Sequence, residues 1–89
     1  MLFRTKEQRA EQMMRKAERS LALYRQRWMA MDGVVACGIG LRTTKDPTSV
    51  VIKIYVRKSG LPSLRSLPRK VDGIPIVLEE AGEIRSLQK

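Results

Sequence analysis

Eighty-nine residues with a net charge of +9 and four aromatic side chains describe one domain with a small core. That core must be built from Leu, Ile, Val and Met rather than from rings. Histidine is absent, which removes the Ser-His-Asp and Cys-His arrangements, the commonest general base and most transition-metal sites. One cysteine, Cys37, cannot close an internal disulfide, and no apolar run is long enough to span a bilayer or serve as a signal-peptide core. A cytoplasmic location, with no membrane partner, is the expectation that follows.

Thr5-Lys6-Glu7-Gln8 has the form of a capping box, so a helix is predicted to begin there. Apolar or small residues then recur at Ala10, Met14, Ala17, Leu21, Tyr24, Trp28 and Met31, in steps of three and four that lay one stripe along a helix. Asp32-Gly33 ends it, with Gly33 suited to a left-handed cap. A long basic amphipathic helix over 1–32 is therefore expected. It is longer than any strand that follows, so its first turns, with Ala10, Met13 and Met14, are expected to project and to serve self-association.

Gly33–Leu41 and Val50–Arg57 read as two antiparallel strands joined by the polar loop Arg42–Ser49, which contains Asp46-Pro47. The second alternates cleanly, with Val50, Ile52, Ile54 and Val56 on one face and Val51, Lys53, Tyr55 and Arg57 on the other. In the first, Val35, Cys37, Ile39 and Leu41 are expected to share the buried face. Gly38 and Gly40 suggest a bulge or a close approach. Cys37 reads as a buried, inert thiol.

Leu61, Leu64 and Leu67, three apart and followed at either end by Pro62 and Pro68, suit a single short helical turn. Asp72-Gly73 marks a tight turn, and Ile74–Glu79 reads as a third strand, which Pro75 assigns to a sheet edge or a strand start. Residues 81–89 are expected to be a tail. The fold class is α+β: one long helix on a small, mainly antiparallel three-stranded sheet over 33–80, helix–strand–strand–short turn–strand. Ile76 and Leu78 are expected to join the face beneath the helix.

Gly33-Val34-Val35-x-x-Gly38-Ile39-Gly40, Ile54-Tyr55-Val56-Arg57-Lys58, Leu67-Pro68, Asp72-Gly73-Ile74-Pro75-Ile76 and Glu80-Ala81-Gly82 follow one another along the chain. This series resembles the short segment that precedes the trypsin-like peptidase domain in a group of bacterial proteins. Ala36-Cys37 stands where that family tends to have Gly-Val, and the chain ends where the peptidase would begin. The resemblance implies a fold and a docking role, with no catalytic residue to carry over.

Glu79, Glu80 and Glu83 read as a solvated strand end rather than an acid–base pair, and Gly38-Ile39-Gly40 lacks the third glycine of a dinucleotide fingerprint. No catalytic, cofactor-binding or metal-ligating residue is expected, and no small-molecule substrate. The expectation is a non-enzymatic protein-interaction module, docking on a partner or on itself as a homo-oligomer. The alternative is nucleic-acid binding. Its candidate contacts are Arg9, Arg15, Lys16 and Arg19 on the helix and Lys53, Tyr55 and Arg57 on the sheet. One tyrosine is a poor stacking platform for the latter.

Overall fold

The computed structural model describes residues 5–58 and 60–81. One helix, α1 (Lys6–Met29), lies on a four-stranded sheet of β1 (Val34–Leu41), β2 (Val50–Val56), β3 (Lys70–Val71) and β4 (Ile74–Glu80), with a 3₁₀ turn, Pro62–Ser66, between β2 and β3. No described helix is long and apolar enough to cross a membrane.

The helix begins as its first residues require. Gln8 N–H donates to Thr5 Oγ1 at 3.1 Å, and Thr5 N–H donates to Gln8 Oε1 at 2.9 Å. These reciprocal bonds satisfy two of the donors that a helix start leaves orphaned. The last turn closes at Met29, with Ala30 as the cap, and the backbone reaches β1 through Gly33 at φ +93°. Without a Cβ, glycine adopts that conformation cheaply.

The sheet corrects the sequence expectation in strand number and direction. Its order is β1-β2-β4-β3; β1 and β2 are antiparallel, β2 and β4 parallel, β4 and β3 antiparallel. The sheet is mixed, because β4 returns along β2 after a crossover through the 3₁₀ turn rather than folding back from it. β3 has two residues, too few to show any periodicity in sequence. It is held by Asp72-Gly73, whose φ values of 54° and 80° are those of the two-residue turn that matches strand twist. Pro75 therefore sits near the start of an interior strand, with Lys70 opposite, and does not mark an edge.

Val50, Ile52, Ile54 and Val56 are buried beneath the helix, as their alternation predicts. On β1 the pairing runs Val34↔Val56 and then Ala36↔Tyr55, with the register shift of a bulge between them. Val34 rather than Val35 therefore joins the core with Trp28 and Val56, because the extra bulge residue reverses the alternation. Cys37, Ile39 and Leu41 pack against the same core, while Gly38 and Gly40 pair with Lys53 and Val51 on the outer face.

Leu64 of the 3₁₀ turn is buried in the core with the helix residues. The helix meets β1 most, β2 next and β4 least. Leu78, expected in the core, is 39 % exposed, since it lies on the strand that the helix covers least. The projecting helix start is also shorter than expected. Met13 and Met14 pack against the core, and Lys6 Nζ reaches Asp46 of the β1–β2 loop at 3.7 Å.

Candidate interaction site

A strand at the end of a sheet has hydrogen-bonding groups along one side with no ladder partner. Two strands hold that position here. β3 is short, so its open side is short too. β1 has eight residues, and among the described residues β2 is its only strand neighbour.

The direction of its open groups follows from the ladder. Arg42 N–H donates to Ser49 O at 2.8 Å, which places Arg42 in a hydrogen-bonded pair with β2. Antiparallel pairing alternates, so Gly40 and Gly38 also turn their backbone groups to β2. Cys37, Ile39 and Leu41 turn theirs outward. Natural sheets blunt such an edge with lysine, proline, bulges or brevity. The bulge protects only the first residues of β1. From Ala36 to Leu41 the strand is regular and carries neither a charged residue nor a proline.

The outer sheet face differs in character. Val51 is buried there beside Gly40. The Lys53 side chain lies across Gly40, with its Cε 3.0 Å from where a Cβ would stand, and its Nζ meets Glu79 Oε2 at 3.2 Å. Arg57 Nη2 lies 3.2 Å from Asp32 Oδ1. Two of the three sheet residues suggested as anion contacts therefore already face carboxylates, and Tyr55 is half-buried on that face.

The structure splits the seven suggested anion contacts between opposite sides of the molecule. Arg9, Arg15 and Arg19 are exposed and Lys16 is half-buried on the helix. Lys53 and Tyr55 lie beyond the sheet, where helix residues do not reach. Of the suggested self-association residues, Met13 and Met14 are engaged with the core and Ala10 is half-buried. The open edge of β1 was not singled out by the sequence reading. Its signal was an uncharged, proline-free strand, but which strand ends a sheet depends on pairing order.

Among the described residues, Cys37 and Asp46 have environments that move their titration. Burial pushes the Cys37 thiol up, and the Arg25 charge partly opposes this. Asp46, in the β1–β2 loop, is held below the ordinary carboxylate range. Hydrogen bonds from the Thr48 hydroxyl at 2.6 Å and the Thr48 N–H at 3.0 Å are the main cause.

A shallow depression is lined by Tyr24, Arg27, Trp28 and Met31 of the helix side and Ser66 and Pro68 of the crossover. Tyr24 and Trp28 stack within it at 5.4 Å. No three His, Cys, Asp or Glu side chains among the described residues are grouped to hold a metal ion. No family model, curated protein or solved structure matches this chain.

Proposed function

We propose that the chain is a small, basic, non-enzymatic protein-interaction module that associates with itself through the edge of β1. The observation that supports this reading is the regular stretch Ala36–Leu41, whose outward backbone groups at Cys37, Ile39 and Leu41 have no ladder partner among the described residues. Strand addition supplies main-chain hydrogen bonds without demanding particular side chains. A domain this small also gains from covering its surface with a second copy. The resemblance of the Gly33–Gly40 and Asp72–Ile76 segments to a peptidase-preceding segment is compatible with docking.

Hydrogen exchange tests it directly. In dilute solution the amides of Cys37, Ile39 and Leu41 should exchange fast, while those of Gly38 and Gly40 are protected by β2. Raising the protein concentration should protect the outward three. Fast exchange of all three at every concentration would refute the reading.

Nucleic-acid binding is the second reading, favoured by the exposure of Arg9, Arg15 and Arg19 along one helix. A mobility shift with generic duplex DNA that weakens steeply with salt would support it.

A further inference from the structure

The edge of β1 runs beside a helix flank. At about 100° per residue, Tyr24 and Arg27 turn toward the crossover, whose Ser66 and Pro68 they meet together with Met31 beyond the helix end. The other flank carries Met14, Glu18, Leu21, Arg25 and Met29. The flank away from the crossover is the β1 side, since the helix meets β1 most, and the action of the Arg25 charge on Cys37 agrees. Glu18 and Arg25 are exposed, Met29 is 38 % exposed, and Leu21 and Met14 are half-buried.

We propose that a second copy of this chain docks across a two-fold axis, pairing β1 antiparallel with the partner subunit's β1 and laying the two α1 helices antiparallel on one face of a continuous sheet. The proposal rests on the self-association reading above and adds to it a geometry and a set of contacts.

Three independent features meet at one axis. The first is spacing. The helix lies over β1 and β2, so its axis stands roughly one strand spacing, about 4.8 Å, from the mid-line between two paired β1 strands. Two such helices would be about 10 Å apart, the distance at which helices pack. Neither copy needs to move its helix to admit the other.

The second is sequence symmetry of the flank. With the axis between Leu21 and Ala22, Glu18 faces the partner subunit's Arg25, and Met14 faces the partner subunit's Met29. Each contact occurs twice. A net charge of +9 opposes self-association in general, but this flank is locally balanced and complementary to itself.

The third is agreement between helix and strand. From Met29 back to the Leu21–Ala22 step is about 11 Å of helix. The same distance along β1 from Val34, at about 3.3 Å per ladder step and with the bulge residue Val35 adding no step, reaches Gly38–Ile39. An axis through Gly38 sets the outward groups of Cys37 against those of the partner subunit's Ile39, and the reverse, which is a hydrogen-bonded antiparallel pairing. Gly38 itself has nothing within 4 Å of where its Cβ would stand. The two glycines can therefore approach at the axis, where the non-hydrogen-bonded pair is closest.

Sedimentation equilibrium of the whole chain at low salt, with Glu18→Arg, Arg25→Glu and the double exchange, tests the arrangement. Both residues are exposed, so the fold should tolerate each change. Each single variant turns two attractive pairs into two repulsive ones and should weaken the dimer about tenfold. The double exchange restores both pairs and should return the dissociation constant to within about threefold of the parent. A dimer that neither single variant weakens, with Cys37 and Ile39 amides protected at high concentration, would overturn the two-fold arrangement while keeping the edge contact. A chain that stays monomeric, with those amides exchanging fast throughout, would overturn both.

Discussion

Replacing Trp28 with alanine removes the side chain on which the helix is seated. Trp28 is 2 % exposed and stacks on Tyr24 with ring centroids 5.4 Å apart and planes 18° apart. An aromatic of this kind buries about 150–250 Å², which at roughly 25 cal/mol per Å² corresponds to about 4–6 kcal/mol. Lost stacking adds about 0.5–1.5 kcal/mol, and the part of the area that alanine still covers offsets some of this. Aromatic-to-alanine changes in cores span about 3–5 kcal/mol, and the expected loss lies at the upper end of that range. At about 0.05–0.15 kcal/mol per residue, a chain of 89 residues holds about 4–13 kcal/mol in all. The variant should therefore be close to unfolding. Urea denaturation followed by far-ultraviolet circular dichroism, at one fixed protein concentration, measures the change without needing the indole as a probe. A loss below about 1 kcal/mol would mean that Trp28 does not anchor the helix on the sheet.

Gly33→Ala should cost about 2 kcal/mol, because φ is +93° and a Cβ would run into Leu61 Cδ1. Gly38→Ala, with open space at its Cβ position, should change stability by less than about 0.5 kcal/mol; equal effects in a melting comparison would contradict the turn geometry. Cys37 should react slowly with a thiol reagent in the native state and quickly in denaturant. Arg25→Ala should raise its pKa further by removing the opposing charge. Asp46 should titrate below its ordinary value of 3.8, as seen by carboxyl NMR. A carboxylate pKa depressed by folding stabilises the native state above its unfolded value, and that contribution is lost as pH falls through the folded one. Thr48→Val should shift the Asp46 titration back toward the ordinary range. Exchanging Arg9, Arg15, Lys16 and Arg19 for glutamine should leave the proposed dimer intact, and should flatten any salt dependence of DNA binding by up to about 0.9 log units per lost phosphate contact. Dissociation of the dimer by those four changes would place its contact on the wrong side of the helix.

What the sequence disclosed, and what it withheld, divides by the range of the interaction. The capping box needs only Thr5 and Gln8, and the alternation of Val50 to Val56 needs only its own strand, so both were legible. The Asp72-Gly73 turn was legible as a turn, but its first strand, Lys70–Val71, has too few residues to alternate. Without that strand, Pro75 left two readings, a sheet edge or a strand start, and it stands at the start of β4. The parallel partnership of β2 and β4 is a long-range choice that no local pattern records. The same limit hid the candidate site. Nothing within Val34–Leu41 says that its far side lacks a neighbour among the described residues; that follows only once β4 has taken the other side of β2. The bulge at Val35 moved one core residue by a single position; Gly38 and Gly40, which suggested a bulge or a close approach, lie in regular pairing, and Gly40 is instead approached by the Lys53 side chain.

The crossover also sets an order of assembly. The helix and the β1–β2 hairpin are consecutive in the chain, and the turns joining them are short. Their contacts can form early, with little loop-closure entropy. β4 must arrive last, after the seventeen residues of crossover, 57–73, have been closed between the end of β2 at Val56 and the start of β4 at Ile74. Until it does, β2 is itself a border, and the half-made sheet offers two long sticky sides instead of one. On a ribosome, that interval lasts until Glu80 has cleared the exit tunnel. Slowing β4 docking, rather than loosening the core, is therefore the change most apt to send newly made chains into aggregates.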